Sequence, residues 1–406
     1  MVSSKKVAVI GGGAAGFFAA INGKSNFPDY DITILEKSNK LLAKVKISGG
    51  GRCNVANATF GAAELSKNYP RGGKQLKKAF NHFATKETIE WFEGKDVALK
   101  TESDNRMFPT TDDSATIMDS LLNTARALGV QIIKHAGVAS ITPLTTGFNL
   151  ELTDKKEFFD YVIVASGGSP NMRGFDWLRD LGHEIIPPVP SLFTFNMPDE
   201  EVTELSGVSV PMAQVKVQGT KLKYSGPLLI THWGMSGPAV LKTSAWGARD
   251  LHIRNYNFDI QVNWMGEITE ETFRTSLSAT LAGNHKRQVK NQNPFNLPNR
   301  LWDYFLTKVN VQPDKIWAEV TKKELNRLVN ILLNDTYEVS GKTTFKEEFV
   351  TAGGVALSNV DFNTMQSRQC PGLYFAGEVL DIDGITGGFN FQAAWTTGFL
   401  AGQLKN

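Results

Sequence analysis

The segment Lys6-Val-Ala-Val-Ile-Gly-Gly-Gly-Ala-Ala-Gly16 decides the predicted fold. Its mostly apolar residues 6–10 predict a short buried strand, its glycines end that strand, and the small residues from Ala14 onward predict a helix. A second strand is predicted over 31–36, with the sequence Asp-Ile-Thr-Ile-Leu-Glu. Because two parallel strands need a crossover connection, the helix between them completes a βαβ unit. The start of the chain therefore predicts an α/β fold with a Rossmann-like domain.

The spacing Gly11-x-Gly13-x-x-Gly16 is typical of a dinucleotide-binding turn when it joins a strand to a helix. The first glycine permits the tight turn, the second lets the backbone approach a pyrophosphate, and the third lets the helix pack on the strand. Glu36 ends the next strand, where it would accept hydrogen bonds from ribose hydroxyls. We expect an adenine dinucleotide, which the turn alone does not identify as FAD or NAD, at Gly11, Gly13, Ala14, Ala15, Gly16 and Glu36.

The end of the chain favours FAD. Residues 372–378 (Gly-Leu-Tyr-Phe-Ala-Gly-Glu) predict a short buried strand, and a helix of small residues follows it. In FAD enzymes of the glutathione reductase type, a late strand ends in such a Gly-acid pair beside the ribityl and pyrophosphate groups, and the next helix points its N-terminus at the flavin. Residues 161–165 predict another strand, which runs into Ser166-Gly167-Gly168. We expect FAD also to contact Ala165, Gly167, Gly377, Glu378, Asp383, Gly388 and Asn390.

A third glycine-rich segment is Ser48-Gly-Gly-Gly-Arg-Cys-Asn54. Three successive glycines, the last being Gly51, let backbone N–H groups converge on an anion or a flavin edge, and Arg52 could add positive charge. A flexible glycine turn is the structural alternative. The two cysteines are Cys53 and Cys370, and a CxxC-like neighbour is absent. We therefore predict that Cys53 is a small packed neighbour of the flavin and does not take part in dithiol chemistry.

Composition limits the class of protein. The 406 residues predict two or three structural units, and 43 Lys and Arg against 41 Asp and Glu give a net charge of +2. That balance provides no global field for polyanions or a charged membrane surface, so no nucleic-acid or membrane partner is expected. Two cysteines fit a reducing compartment, which predicts a cytoplasmic protein. Residues 5–23 mimic a secretory signal, but Gly11, Gly12, Gly13 and Gly16 make a poor apolar helix. No metal-ligand spacing is found among the histidines.

The sequence pattern changes at Pro187-Pro-Val-Pro190. Stretches in which apolar and polar residues alternate, such as 213–217 and 258–262, predict strands, whereas the pattern over 269–335 predicts helices. After Phe349 the sequence again has the glycine-rich strand-and-helix pattern of the start of the chain. We predict an FAD-binding domain formed by residues 1–190 and 346–406. An insertion over 191–345 splits it, β-rich over 191–268 and helical over 269–335.

Several blocks together resemble one family, the aminoacetone oxidase-like (BaiN/YhiN-type) FAD-binding flavoproteins. The blocks occur in the family's order over nearly the whole chain: Ser48–Asn54 with Asn57, Arg106–Pro109, Pro187–Ser191, Thr231–Pro238, Thr351–Gly354 and Gly377–Asp381. The resemblance implies an FAD domain of glutathione reductase type, split by an insertion with a β-barrel-like and a helical part. It also implies that FAD is lined by Ala15, Glu36, Lys37, Arg52, Cys53, Asn54, Val138, Gly377, Asp383 and Asn390.

The expected activity is that of an FAD-dependent oxidoreductase acting on a small organic substrate by hydride transfer. The resemblance implies two chemistries, oxidation of small amines by oxygen or reduction of a conjugated carbon–carbon double bond in a steroid-like enone, and does not choose between them. Because a second G-x-G-x-x-G turn is missing, any NAD(P)H must visit the flavin transiently.

The catalytic acid or base is not identified by the sequence. His232 lies in a family block and could donate a proton, although a hydrogen-bonded structural histidine explains it more simply. Two other functions stay open. An FAD-dependent RNA-modifying enzyme would need a basic surface, for which Lys77, Lys78, Lys286, Arg287 and Lys290 are scattered candidates. The second alternative is a flavin-binding protein without turnover. The sequence does not indicate the oligomeric state.

Overall fold

The computed structural model describes residues 4–283, 285–291, 293–344 and 350–405. The chain divides into two compact units. The described residues of the first unit are 4–191 and 350–405, and those of the second are 192–344. The predicted domain boundary between residues 345 and 346 lies outside the described residues, and so does Phe349.

Thirteen helices occur in the described residues. They are α1 Ala14–Asn26, α2 Ala43–Gly51, α3 Ala62–Ser66, α4 Gly73–Ala79, α5 Thr85–Glu93, α6 Ser114–Ala127, α7 Asp176–Arg179, α8 Pro238–Trp246, α9 Ala248–Ile253, α10 Glu270–Ala282, α11 Asn299–Lys308, α12 Lys322–Asn334 and α13 Phe389–Ala401. Within these same residues, no helix combines the length and the hydrophobicity that crossing a membrane requires.

The strands are mostly short. They are β1 Lys6–Ile10, β2 Asp31–Glu36, β3 Ala56–Asn57, β4 Leu99–Thr101, β5 Arg106–Pro109, β6 Gln131–Lys134, β7 Val138–Pro143, β8 Phe148–Leu152, β9 Lys156–Phe159, β10 Tyr161–Val164, β11 Ile185–Pro190, β12 Thr194–Asn196, β13 Ser209–Val217, β14 Lys223–Thr231, β15 Gly234–Ser236, β16 Asn257–Asn263, β17 Asp335–Ser340, β18 Lys342–Thr343, β19 Thr351–Val355, β20 Val360–Asp361, β21 Gln366–Ser367 and β22 Leu373–Phe375.

The main sheet of the first unit has the strand order β20-β21-β22-β10-β1-β2-β6. The five strands from β22 to β6 pair in parallel, with Val9 opposite both Ile163 and Ile34. In β1 the residues after Lys6 are all buried, as parallel strands covered on both faces require. Because the strands are parallel, the segments that follow β1, β2, β10 and β22 all lie at one edge of the sheet.

Helices α1 and α13 pack closely because small residues line their contact. A methyl group added at Gly398 would lie 2.7 Å from the Ala15 carbonyl oxygen, and one added at Gly402 would lie 2.6 Å from that of Ala19. Beside this contact, the Phe18 ring lies 5.3 Å from the Trp395 ring. The small-residue helices expected at both ends of the chain therefore pack on each other, which brings the segments before them into one region.

Two helices of the first unit, α2 and α6, have distinct ends. The segment 41–57 contains α2, whose buried Val45 lies one turn before Ser48, where the backbone leaves helical geometry. Asp113 is the N-cap of α6, since its carboxylate accepts a hydrogen bond from the Ala115 N–H. Smaller antiparallel sheets, β3-β5-β4, β7-β8-β9 and β11-β19, complete the first unit.

The second unit contains a seven-stranded sheet in the order β17-β16-β13-β14-β15-β12-β18. Its strands are antiparallel, and inward residues such as Val215, Leu228 and Ile260 are fully buried. Among the described residues, the end strands β17 and β18 are not paired with each other, so the sheet is open. Aromatic and aliphatic side chains of α10–α12, including Trp302 and Leu332, join the same core.

Candidate cofactor site

Two glycines of the turn between β1 and α1 are required by the protein's own packing. A methyl group at Gly11 would lie 2.3 Å from the Ala165 carbonyl oxygen, and Gly11 has a φ of +114°. A methyl group at Gly16 would lie 1.9 Å from the Gly11 carbonyl oxygen. Only hydrogen fits at both positions, which ties the turn to the start of α1 and to the end of β10.

Gly13 is different, because the protein does not explain its lack of a side chain. Its φ is −94°, and a methyl group there would meet no atom of the described residues within 4 Å. Gly13 is the N-cap of α1, no side chain caps this helix, and its first turn holds no acidic residue. The N–H groups of Ala14 and Ala15 therefore belong to an uncapped helix N-terminus beside open space, an arrangement that suits an anion.

Glu36 is held at the end of β2 by backbone donors. Its Oε2 accepts a hydrogen bond from the Gly12 N–H at 2.8 Å, and its Oε1 accepts from the Ser38 N–H and hydroxyl, each at 2.8 Å. A carboxylate has lone pairs for further donors, so ribose hydroxyls can still be accepted. Lys37 is exposed, and its Cβ faces Gly137, the residue before Val138 in β7.

The end of β10 places Ala165 and Gly167 beside the α1 turn. Ala165 is buried against Gly11, whereas Gly167 has a φ of +75° and faces no described atom within 4 Å. A methyl group at the next residue, Gly168, would lie 2.4 Å from Thr351 Oγ1. That Thr351 hydroxyl is buried and has no hydrogen-bond partner among the described residues. An unpaired buried hydroxyl next to Gly167 and Gly168 is compatible with a polar ligand.

The end of β22 meets the same region through Gly377. A methyl group there would lie 2.8 Å from the Ala15 Cβ, and the Gly377 N–H donates to Thr397 Oγ1 at 2.8 Å. The Glu378 carboxylate accepts from the Thr351 N–H at 2.9 Å and forms an ion pair with Lys44 at 2.5 Å. Four predicted segments, around Gly13, Glu36, Gly167 and Gly377, therefore lie at one edge of the sheet.

The segment 48–54 forms a turn of left-handed residues. Gly49, Gly50 and Gly51 have φ values of 60°, 70° and 85°, and Cys53 has 61°. A methyl group at Gly51 would meet no described atom within 4 Å. Arg52 does not offer an unpaired charge, since its Nη1 lies 2.6 Å from Glu102 Oε1 and 3.4 Å from Asp112 Oδ1. Its guanidinium stacks on the Phe108 ring at 3.9 Å.

The Cys53 thiol is fully buried in this turn. Burial raises the pKa of Cys53 to about 12, although the Ser48 hydroxyl offsets part of that rise. Cys370 is also buried, and its pKa is raised for the same reason. Both thiols stay protonated near neutral pH, which agrees with a packing role.

Asn54 joins the turn to the start of α13. In the amide orientation that satisfies both ends, Asn54 Nδ2 donates to the Ala56 carbonyl at 2.9 Å and Oδ1 accepts from the Gly388 N–H at 3.0 Å. Gly388 has a φ of +95° and is the N-cap of α13, which has no side-chain cap. Asn390 instead closes the preceding loop, because its amide bonds both the N–H and the carbonyl of Gly384 at 2.8 and 2.9 Å.

Asp383 lies in a buried cluster that sequence reasoning did not foresee. Arg71 Nε donates to its Oδ1 at 2.5 Å, Arg71 Nη2 donates to Oδ2, and the Ser191 hydroxyl also donates to Oδ2. Burial raises the pKa of Asp383 to about 6, and the Arg71 cation offsets part of that rise. The only local signal for Arg71 is the glycine pair that follows it, which gives no hint of a partner at 383.

His232, the candidate proton donor, belongs to the second unit. It lies between β14 and β15, is exposed, and contacts the Trp233 ring edge-on at 4.2 Å. Its catalytic role stays a prediction. Within the described part of the chain, no group of three or more His, Cys, Asp or Glu side chains could hold a metal ion.

A parallel sheet with an uncapped, glycine-flanked helix N-terminus at its carboxyl edge defines a Rossmann-type nucleotide-binding protein. Comparison with protein families is more specific, since residues 5–404 match the family described as HI0933-like protein Rossmann domain. The chain belongs to this family.

Two characterised proteins are similar over nearly their whole length. The chain is 26% identical to the 3-dehydro-bile acid delta(4,6)-reductase of Clostridium scindens, with 98% of each chain covered. It is 29% identical to the ribosomal RNA dihydrouridine synthase of Escherichia coli, with 97% of this chain and 96% of the relative covered. A solved structure, the 3-ketosteroid-delta4-(5alpha)-dehydrogenase of Rhodococcus jostii, is 13% identical, with a TM-score of 0.51 and 100% of this chain and 98% of that chain covered. That likeness concerns the fold. The predicted family resemblance, Rossmann-like fold class and oxidoreductase class are confirmed.

Proposed function

We propose that the protein is an FAD-dependent reductase that adds hydrogen across a carbon–carbon double bond conjugated to a carbonyl group. The observation that carries the cofactor assignment is the contrast in the α1 turn. Gly11 and Gly16 are needed for packing, whereas Gly13 borders open space at an uncapped helix N-terminus. In the proposal, residues 1–190 and 346–406 form the FAD-binding domain, and 191–345 form the insertion.

The residues present fit FAD in a consistent order along the sheet edge. The pyrophosphate would take the N–H groups at Gly13–Ala15, and the adenosine ribose would take the remaining lone pairs of Glu36. The left-handed turn ending at Gly51 and the uncapped N-terminus of α13 at Gly388 would border the flavin. When bound, FAD supplies a ring that takes up a hydride and passes it to substrate. The protein's part is to hold that ring and to shield it with groups such as the buried Asn54.

The reaction class is supported by the chemistry that two relatives' names have in common. A 3-dehydro-bile acid with delta(4,6) double bonds is an extended enone, and a reductase saturates it. A dihydrouridine synthase saturates the uracil double bond beside a ring carbonyl. Both reactions place a hydride on one alkene carbon and a proton on the other. Of the two chemistries expected from sequence, enone reduction is therefore favoured over amine oxidation.

Electrons would come from NADH or NADPH, which would visit the flavin transiently because the sequence holds a single G-x-G-x-x-G turn. The substrate proposed first is a small steroid-like enone. Uracil in RNA is the second candidate, favoured by the full-length similarity to the Escherichia coli synthase.

The test is anaerobic mixing of the purified yellow protein with NADH or NADPH, followed by absorbance near 450 nm. The bleached protein is then mixed with 4-androstene-3,17-dione or with uridine-rich RNA, and the oxidised protein is mixed separately with a small amine as control. Reoxidation by the enone or the RNA, with one saturated double bond per flavin detected by mass spectrometry, supports the proposal. Bleaching of the oxidised protein by the amine, without reoxidation by either alkene, would contradict it.

Two variants test the cofactor assignment separately from the reaction. Gly13→Glu places a carboxylate where the pyrophosphate is expected, so the purified variant should be colourless yet folded by circular dichroism. Glu36→Ala should weaken FAD much more than FMN, because FMN lacks the adenosine ribose. A yellow Gly13→Glu variant, or equal weakening of FAD and FMN, would refute the placement.

A further inference from the structure

The second unit contains a groove that the proposed flavin chemistry does not use. It has a volume of about 780 Å³ and lies between the end of α11, one face of α12 and the start of β17. Two of its lining residues, Val309 and Ile331, are apolar and buried, and the others, which we call its walls, are polar. Its walls therefore determine which ligand it could accept.

One stripe of α12 supplies most of those walls. Lys323, Asn326, Arg327, Asn330 and Asn334 all line the groove, and their spacing of three or four residues places them on one helix face. The stripe contains no carboxylate. The single acidic residue of α12, Glu324, is bound by Lys315 at 2.8 Å and caps the helix at Thr321.

The one carboxylate among the described lining residues is already neutralised. Asp335 is 3% exposed, and its Oδ1 accepts from Lys308 Nζ at 2.8 Å. Its Oδ2 accepts from the Trp264 indole N–H at 3.0 Å and from the Tyr337 hydroxyl. Neither Lys323 nor Arg327 has a carboxylate partner within the described residues. The groove thus presents two unpaired cations and no unpaired anion.

Two of the three asparagines of the stripe are oriented as donors. Asn326 Oδ1 accepts from Arg274 Nη1 at 2.9 Å, and Asn334 Oδ1 accepts from Gln261 Nε2 at 2.6 Å. Because the amide oxygens are engaged, the Nδ2 hydrogens of both side chains remain for a ligand. Cations and amide N–H groups with occupied acceptors match the oxygen atoms of phosphate groups.

We propose that this groove binds the phosphate backbone of a single-stranded nucleic acid. From Lys323 to Asn334 the stripe extends about 16 Å along the helix axis, which is longer than one phosphate group. None of the described residues that line the groove is aromatic, so a base has no ring there on which to stack. Binding is therefore independent of base sequence and steeply dependent on salt. The net charge of +2 for the whole chain does not reveal this local group of unpaired cations. The proposal is independent of the substrate reduced at the flavin.

The test uses the full-length yellow protein and a fluorescein-labelled uridine 12-mer RNA, with fluorescence anisotropy at 50–200 mM NaCl. Lys323→Gln/Arg327→Gln removes two phosphate contacts, so the slope of log K against log salt should flatten by about 1.4. Between these salt concentrations the parent protein should then lose about sevenfold more affinity than the variant. The matched control is Lys322→Gln, because Lys322 carries the same charge on the same helix turn but does not line the groove.

Lys322→Gln should change the affinity by less than about twofold, whereas Lys323→Gln should weaken it severalfold. A second variant, Asn330→Asp, adds a carboxylate to the middle of the stripe and should weaken binding even if the double variant folds poorly. Unlabelled cytidine 12-mer should compete as well as the uridine 12-mer. Equal effects of Lys322→Gln and Lys323→Gln, or competition by NADPH or inorganic phosphate at concentrations below those of the 12-mers, would overturn the proposal.

Discussion

Two arginines near the candidate cofactor site, Arg52 and Arg71, bind carboxylates in contrasting surroundings. The Arg52 side chain is 31% exposed and faces Glu102 and Asp112, which are 28% and 42% exposed. The Arg71 side chain is 10% exposed, and its partner Asp383 is completely buried. The first cluster is screened by solvent, whereas the second must satisfy a carboxylate that has lost its hydration.

The contrast shows what a motif can and cannot reveal. Arg52 was singled out because it follows three glycines, yet its charge is balanced by carboxylates 50 and 60 residues further along the chain. Arg71 has no motif around it, yet it holds the buried Asp383 through two donors. The importance of a charged residue here depends on its burial and on its distant partner, neither of which is written in the local sequence.

The largest expected effect is on the stability of the first unit. Arg71→Met leaves Asp383 buried without its cation, which should lower the free energy of unfolding by about 3–5 kcal/mol at pH 8. Arg52→Met removes a solvent-screened pair and should cost much less. Urea unfolding of both variants, followed by circular dichroism, compares them directly. Equal losses would show that the two clusters do not differ in burial as described.

The pH dependence of Asp383 sharpens the same contrast. Its pKa is about 6 in the folded protein, against an ordinary value of 3.8, because burial disfavours the charged form. The folded state therefore keeps a proton that the unfolded chain releases, so stability falls as the pH rises through this window, by about 3 kcal/mol in total. Asp383→Asn should remove that decline. Urea midpoints of the two proteins between pH 4 and 7.5 should diverge, and parallel curves would contradict the raised pKa.

The parts of the site that depend on backbone geometry could be predicted, because they are encoded locally. The β1 turn, the α1 start and Glu36 follow from glycine spacing and strand pattern over some 30 residues. The role of Asn390 could not be read in the same way, since its amide is used to close the loop at Gly384. The groove on α12 could not be predicted either. Lys323 and Arg327 give it a net positive charge only because the fold neutralises the nearby Asp335 carboxylate. Lys290, chosen as a basic candidate, is paired with Asp314.

The two classes of glycine in the α1 turn give a smaller and more local test. Gly16→Ala forces a methyl group to within 1.9 Å of a backbone oxygen and should lower the free energy of unfolding by about 2–3 kcal/mol. Gly13→Ala meets no described atom and keeps a negative φ, so its effect on the protein freed of flavin should stay within about 1 kcal/mol. Flavin retention, measured by absorbance after gel filtration, should nevertheless fall in Gly13→Ala. If Gly13→Ala destabilised the flavin-free protein as much as Gly16→Ala, the open space beside Gly13 would be disproved.

The smallest expected effect concerns the thiol beside Arg52. An adjacent unpaired cation lowers the pKa of a cysteine and makes it reactive. Here Glu102 and Asp112 balance Arg52, and burial raises the pKa of Cys53 to about 12, so the native thiol should resist iodoacetamide at pH 8. Peptide mass spectrometry should find Cys53 unmodified in the native protein and alkylated after unfolding in urea, which serves as the control. In Glu102→Gln the thiol should stay unreactive, because its burial contributes more than the neighbouring charge does. Rapid alkylation of the native parent would instead mean that the turn 48–54 opens and that Arg52 acts on Cys53 as an unbalanced cation.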